Sequence, residues 1–236
     1  MTAVYHFSMR RIALFLSSVL FITAVACHKD TTAATEPETP TGTSSSGQNI
    51  AFDSGQVDAD TLVVSSSLTA KVHVTVLGAP VPNTTVTWTV TSGHGTVANA
   101  TSTTDAKGAA SVVWTLGDTV GINALAAAIS GASVTLSKFG KAGAAASLVK
   151  KSADSSAVAA GATLTLTARV VDRSGNAVNN ANVTWTTSAG TLSAASATTS
   201  ASGNASTNLT TLATGTYLVT GTLPGKATVT FKVVAF

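Results

Sequence analysis

Charged residues are scarce in this sequence of 236 residues. Asp, Glu, Lys and Arg make up 10% of it, against roughly 25% in an average soluble protein. The only glutamates, Glu36 and Glu38, lie near the N-terminus, and there are four histidines in the whole chain. Because acid–base catalysis needs several such groups close together, we expect no catalytic residue and no cofactor.

Cysteine is almost absent. The single thiol, Cys27, excludes an intramolecular disulfide, so any folded domain must be held together by packing alone. An odd cysteine in an exported protein needs a separate role, such as intermolecular pairing, reactivity or modification. Its position in the chain indicates which of these applies.

A large excess of positive charge is also absent beyond the first residues. The sequence has 13 basic and 10 acidic residues, and two of the basic ones, Arg10 and Arg11, belong to a leader segment. Without them, 11 basic residues remain against 10 acidic ones, a net charge of about +1. We therefore expect no nucleic-acid partner, since that would require a clustered basic surface.

Residues 1–26 have the plan of a secretory signal peptide. Arg10 and Arg11 form a positive start, an apolar run extends from Ile12 to Ala26, and small residues precede Cys27. The run is shorter than the ~20 apolar residues of a comfortable transmembrane helix. A plain signal peptide that happens to precede a cysteine and an uncleaved anchor are the alternatives.

The stretch Ala24-Val25-Ala26-Cys27 resembles the lipobox of bacterial lipoproteins, with Ala24 in place of the more common leucine. The resemblance implies cleavage between Ala26 and Cys27, acylation of Cys27, and attachment to a membrane through this N-terminal cysteine. His28 follows, not the aspartate that retains some lipoproteins at the inner membrane. The implied location is the cell envelope of a Gram-negative bacterium, at the outer membrane or cell surface.

Residues 27–49 contain the cysteine and then a segment rich in Thr, Ser, Pro and Gly. Apart from proline, this segment has no apolar side chain larger than alanine. It cannot bury enough surface to offset the entropy lost on ordering. We expect a disordered tether between the acylated cysteine and the folded part.

After the tether the sequence repeats itself. Val86-Thr87-Trp88-Thr89 recurs as Val183-Thr184-Trp185-Thr186, and the run from Thr103 to Gly108 is echoed from Thr198 to Gly203. The offset between the copies stays at 94 to 97 residues throughout. We therefore expect two domains of one design, which occupy residues 50–142 and 146–236.

Apolar residues in each copy recur with a period of two, which is typical of half-buried strands. Val72, Val74 and Val76 alternate with polar residues, for example, and no amphipathic helix is apparent after the leader. The pattern predicts an all-β fold with about seven strands per unit. In the first unit the predicted strands are 61–66, 69–77, 84–91, 95–99, 109–116, 122–129 and 133–140.

The two units resemble immunoglobulin-like domains. Trp88 and Trp185 fall on the third strand, where such domains bury a tryptophan, and Trp114 also falls on an inward position. Gly215-Thr216-Tyr217 resembles the tyrosine corner of these domains. The resemblance implies two tandem immunoglobulin-like β-sandwiches after a signal helix and a disordered linker, with a structural core that includes Trp88, Trp114, Trp185 and Tyr217.

More narrowly, the run from Val171 to Val178 and the stretch Ser202-Gly203-Asn204-Ala205 resemble bacterial Ig-like domains of the intimin and invasin type. The first unit departs from that pattern at Leu77-Gly78-Ala79-Pro80, where the turn is shorter. The resemblance implies a non-catalytic arm for adhesion or recognition, with a protein or glycan at the cell surface as partner. The alternative is a structural spacer or assembly subunit that binds another envelope protein.

We expect no metal site. His73 falls on an outward strand position and His94 in a glycine turn, whereas zinc needs three or four ligands. Calcium at the junction between the units would need carboxylates from Asp105, Asp118, Asp154 and Asp172, yet lysines in that region would repel a cation. These lysines form either a solvated linker or a docking site for an anionic polymer: Lys138, Lys141, Lys150 and Lys151.

Overall fold

The computed structural model describes residues 41–43, 47–56 and 60–236. Every regular element within these ranges is a β-strand, and they contain no helix long and apolar enough to cross a membrane. The strands form two sandwiches in tandem, which confirms the predicted all-β immunoglobulin-like fold. The predicted signal peptide, its cleavage site at Ala26 and the acylation site at Cys27 lie outside the described residues.

The first sandwich has one sheet in the order β1-β2-β4-β9-β7, with β5 beside β4, and a second in the order β3-β11-β10-β6-β8. Within the first sandwich all strand pairs are antiparallel except the pair of β3 and β11. The strands are β1 (Thr41–Thr43), β2 (Gln48–Phe52), β3 (Asp60–Val63), β4 (Ser67–Val76), β5 (Ala79–Pro80), β6 (Thr85–Ser92), β7 (Thr96–Val97), β8 (Thr101–Thr103), β9 (Ala109–Thr115), β10 (Gly121–Ile129) and β11 (Ala132–Lys141).

The second sandwich repeats this plan without counterparts of β1 and β5. Its sheets run β12-β14-β18-β16 and β13-β20-β19-β15-β17. The strands are β12 (Ser147–Lys150), β13 (Ser155–Val158), β14 (Thr163–Val171), β15 (Asn182–Thr187), β16 (Thr191–Leu192), β17 (Ser196–Thr198), β18 (Asn204–Thr210), β19 (Gly215–Leu223) and β20 (Ala227–Ala235).

The boundary of the tether differs from the prediction. All seven predicted strands of the first unit have counterparts, but Thr41–Thr43 and Gln48–Phe52, which overlap the predicted disordered segment, are strands of the first sheet. The reason is that Ile50 and Phe52 alternate inward and are buried against the core, so β2 is anchored and β1 pairs with it. Residues 27–40 and 44–46 of the predicted tether lie outside the described residues.

Each sandwich closes its core around tryptophan. Trp88, Trp114 and Trp185 are all buried, as is the ring of Tyr217. In the first sandwich Trp88 packs against Phe52 of β2, with ring centroids 6.4 Å apart. In the second sandwich Trp185 packs instead against Phe231 of β20, at 6.1 Å.

The shift of the aromatic partner from β2 to β20 is matched by a second change. Lys150 of β12 occupies the place that Phe52 has in β2, since Phe52 pairs with Val72 and Lys150 pairs with Ala168. The ammonium group of Lys150 lies 5.7 Å from the centre of the Phe231 ring, within the range of a cation–π contact. In the second sandwich the ammonium group of Lys150 therefore lies at the position that the Phe52 ring has in the first sandwich.

The equivalent tryptophans of the two sandwiches, Trp88 and Trp185, differ in one hydrogen bond. The indole Nε1 of Trp88 donates to Ser102 Oγ at 2.8 Å, whereas Trp185 Nε1 is buried and finds no partner among the described residues. Ser102 pairs with Val86, and Ala197 pairs with Val183 at the corresponding position of the second copy. The second sandwich thus lacks the hydroxyl that its indole needs.

We expect Ala197→Ser to stabilise the second sandwich by about 1 kcal/mol, because it supplies an acceptor for the buried indole N–H. The matched variant Ser102→Ala should destabilise the first sandwich by about 1–3 kcal/mol, since it leaves the buried N–H of Trp88 without a hydrogen-bond acceptor. Urea unfolding of the full chain followed by tryptophan fluorescence gives both changes. If Ala197→Ser lowers the free energy of unfolding, the unpaired N–H of Trp185 is not what weakens this core.

Candidate functional site at the junction of the two sandwiches

A buried asparagine shapes the end of the first sandwich that adjoins the second. Asn123 on β10 is completely buried. Its Oδ1 accepts a hydrogen bond from the backbone N–H of Gly117 at 2.8 Å, and its Nδ2 donates to the carbonyl of Gly121 at 3.2 Å. The loop 116–120, which joins β9 to β10, is therefore held by one side chain at Gly117 and at Gly121, the first residue of β10.

The second sandwich uses the tyrosine corner for the same task. Asn123 pairs across the strands with Lys138, and Tyr217 pairs with Val233 at the corresponding position. The hydroxyl of Tyr217 accepts from the N–H groups of Leu212 and Ala213 and donates to the carbonyl of Ala213. The role of Asn123 was not predicted from the sequence. Aligning the two copies places Asn123 at the position of Tyr217, and this alignment could have indicated the role.

The turn after β14 faces this loop and is organised by a carboxylate. Asp172 is buried, and its Oδ1 accepts from the N–H groups of Ser174 and Asn176, both at 2.9 Å. Asn176 also donates from Nδ2 to Asp172 Oδ2 at 3.0 Å. Gly175, with φ of +87°, supplies the left-handed residue that this turn requires.

The same two side chains reach across the junction. Asn176 donates from Nδ2 to the carbonyl of Asp118 at 2.7 Å and accepts from the N–H of Val120 at 3.2 Å. Asp172 Oδ2 accepts from the N–H of Gly143, in the segment between the sandwiches, at 2.9 Å. We call Asp172, Asn176 and these three backbone partners the junction clamp. It is a hydrogen-bonded connection between the end of one sandwich and the start of the next.

The hydrogen bonds of the clamp govern the charge of Asp172. Burial of its carboxylate raises the pKa, but the bonds donated by Asn176, Gly143 and Ser174 outweigh that effect. The net result is a pKa below the usual value for aspartate. Because the bonds favour the ionised form, the clamp is strongest when Asp172 is charged.

We expect the clamp to weaken in acid. A carboxyl group with a lowered pKa contributes stability that is fully present above the unfolded value of about 3.9 and is lost as the pH falls through the lower folded value. In a pH titration followed by ¹H–¹⁵N NMR, the amide of Gly143 should move with the protonation of Asp172 and do so below pH ~3.9. Asp172→Asn should abolish this movement. A Gly143 resonance that titrates equally in the variant contradicts the assignment.

The four aspartates considered for calcium do not converge. Asp172 belongs to the clamp, Asp118 contributes only its backbone carbonyl there, and Asp154 pairs with Lys150. Asp105 forms a turn of its own, in which the N–H groups of Ala109 and Lys107 donate to its Oδ1 and lower its pKa. In the part of the chain that the structure describes, no group of three or more His, Cys, Asp or Glu residues is placed to hold a metal ion.

The two histidines are also apart. His73 lies on β4, and its Nε2 is 2.8 Å from Asp53 Oδ1. Lys71 approaches the same carboxylate at 3.3 Å. His94 lies in the turn between β6 and β7, with φ of +57°.

The lysine prediction needs a correction. Lys138 is neither part of a solvated linker nor available to dock a polymer, because it is 4% exposed and its Nζ lies 3.7 Å from Asp60. Alternation explains this, since Lys138 shares the inward side of β11 with Leu136. Lys150 is held by Asp154 and Phe231. Lys141, Lys150 and Lys151 are exposed, but Lys138 is buried, so the four lysines do not form one surface.

The sequence of the second sandwich has a family match. Residues 146–236 match the family described as "Bacterial Ig-like domain (group 1)". A comparison with curated proteins finds no match. The matched range covers one sandwich and less than half of the chain.

Solved structures with similar folds include the D0-D1 domain of intimin, with 23% identity over 77% of this chain and 93% of that one, at a TM-score of 0.30. The Escherichia coli adhesin FdeC has 17% identity over 80% of this chain and 64% of its own, at 0.45. Invasin, a bacterial integrin-binding protein, has 23% identity over 80% and 39%, at 0.39. At these values the neighbours carry no information on function. The sequence match therefore identifies residues 146–236 as similar to bacterial Ig-like domains of group 1.

Proposed function

We propose that this protein is a non-catalytic, lipid-anchored protein of the cell envelope whose two Ig-like sandwiches act as an arm for adhesion or recognition. The observation that carries the proposal is the junction clamp. Asn176 binds the backbone of the first sandwich at Asp118 and Val120, and Asp172 binds the connecting segment at Gly143. Tandem domains joined in this way present their surfaces as one unit.

The anchor in this proposal is Cys27. Each methylene group of an acyl chain buried in lipid contributes about 0.8 kcal/mol, and two or more chains make attachment stable where one is marginal. The tether after Cys27 would then carry the sandwiches away from the membrane. The partner would be a protein or glycan at the cell surface, and the outer membrane of a Gram-negative bacterium is the proposed location.

Metabolic labelling tests the anchor. In cells grown with labelled palmitate, we expect the wild-type protein to take up label and Cys27→Ala to take up none, since no other cysteine is present. A serine substitution at the same position is the conservative control and should behave like the alanine variant. Equal labelling of wild type and variants would contradict lipid attachment at this residue.

A structural spacer or assembly subunit is the second candidate, and one feature of the second sandwich favours it. In the described residues β12 pairs with β14 on one side only, whereas β2 is flanked by both β1 and β4. An open edge of this kind can accept a strand from another envelope protein.

Crosslinking separates the two candidates. A photoreactive residue at Val149, which is 42% exposed on β12, should crosslink to no single envelope protein if the arm recognises external surfaces. Capture of one fixed envelope protein in intact cells would favour the assembly role. The same probe at Leu212, exposed in the second sandwich away from β12, is the control for chance encounters.

A further inference from the structure

A groove lies beside the junction clamp. Its cavity volume is about 350 Å³, which falls in the range of small-molecule sites. The first sandwich contributes Val64 and Ser65, the connecting segment 143–146 forms one side, and the second sandwich contributes the turn after β14 and Lys226. The groove is therefore built from both sandwiches.

The accessible charge in this groove is positive. Arg173 and Lys226 line it, and the side chain of neither makes an ion pair or hydrogen bond within the ranges that the structure describes. The one acidic side chain in the lining is Asp172, whose oxygens already accept bonds from Gly143, Ser174 and Asn176. Two unpaired cations thus adjoin a carboxylate that is occupied by the clamp.

The rest of the lining consists of hydroxyls and small side chains. Ser65 and Ser174 are the hydroxyl-bearing residues of the lining, and the connecting segment contributes glycine and alanine residues. The largest apolar side chain in the lining is Val64. Such walls suit a ring that carries hydroxyl groups better than they suit a large apolar side chain of a peptide.

We propose that this groove binds the carboxylate of an acidic sugar residue, such as a uronic acid unit of a surface polysaccharide, with Arg173 and Lys226 as its charge partners. The inference rests on the proposed recognition function and names the ligand class for it. Guanidinium and carboxylate groups form paired, charge-assisted hydrogen bonds, while the lysine adds a point charge. The serine hydroxyls would contact the sugar ring.

The test is an NMR titration of the ¹⁵N-labelled protein with a galacturonic acid trisaccharide. We expect saturable shifts of the amides of Ser65, Gly143 and Ser174, and none with the neutral galactose trisaccharide. The double variant Arg173→Gln/Lys226→Gln should bind about tenfold more weakly, as expected for the loss of two exposed ion pairs. Lys107→Gln/Lys151→Gln removes the same charge elsewhere and should bind within about twofold of wild type.

Three results would overturn the inference. They are equal shifts with the neutral sugar, equal weakening in the control variant, and groove shifts with inorganic phosphate but not with the acidic sugar. Failure of the groove is distinguishable from failure of the proposed function. If cells that carry the Arg173→Gln/Lys226→Gln protein still adhere as wild-type cells do, only the groove assignment is wrong.

Discussion

Replacing Trp185 with alanine should lower the free energy of unfolding of the second sandwich by about 3–5 kcal/mol. The indole is 2% exposed and packs against Phe231, so truncation removes its buried surface and leaves a cavity between the sheets. Hydrogen exchange of the slowest amides of β14 and β19, measured on the full chain, reports the loss within this sandwich. The slowest amides of β4 and β10 should be unchanged.

The control for this prediction is Leu212→Ala. Leu212 is 68% exposed, so its truncation should change the stability by no more than about 0.5 kcal/mol. A loss of less than 1 kcal/mol for Trp185→Ala would mean that the ring does not fill the core.

Replacing Gly203 with alanine should cost about 2–5 kcal/mol, the sum of a left-handed backbone and a steric clash. Gly203 has φ of +77°, and a Cβ atom there would lie 2.6 Å from the carbonyl oxygen of Val170. That backbone cannot retreat easily, because the N–H of Val170 donates to the carbonyl of Gly203 itself.

Gly175→Ala separates the two contributions. Gly175 has φ of +87°, but a Cβ atom there would meet nothing within 4 Å. This variant should therefore lose only the backbone contribution of about 1–2 kcal/mol. Thermal unfolding of both variants beside wild type gives the difference. Equal losses would show that the contact with Val170 has no part in the effect.

The fold could be predicted because its signal is local and repeated. Inward residues such as Val72 and Val74 alternate with polar ones along each strand, and the second copy repeats the pattern. The strand Thr41–Thr43 could not be predicted, because its composition is that of a spacer. It is a strand because it pairs with β2, whose Ile50 is buried in the core, and its Gly42 packs against the backbone of Ser133 in β11.

The polar end of the first sandwich escaped prediction for a related reason. Alternation places Asn123 and Lys138 on inward positions, where the second copy has Tyr217 and Val233. Nothing local to Asn123 shows that it fastens the loop 116–120. The ion pair of the buried Lys138 likewise involves Asp60 of β3, a strand far away in the sequence.

The junction clamp could be predicted only in part. The turn from Asp172 to Asn176 is visible in the sequence as a family pattern, and its internal hydrogen bonds are local. Its bonds to Gly143 and to the carbonyl of Asp118 join residues 29 and 58 positions apart. Contacts of that range follow from how the sandwiches meet, and a single sequence does not encode them in any visible pattern.

Protease treatment of intact cells tests the central claim most directly. If the sandwiches form a surface arm on a lipid-anchored tether, added protease should cleave the tether and release the arm from wild-type cells whose outer membrane is intact. A periplasmic protein of known location serves as the control for membrane integrity. Protection of the full-length protein until the outer membrane is permeabilised would contradict a recognition arm that faces the outside of the cell.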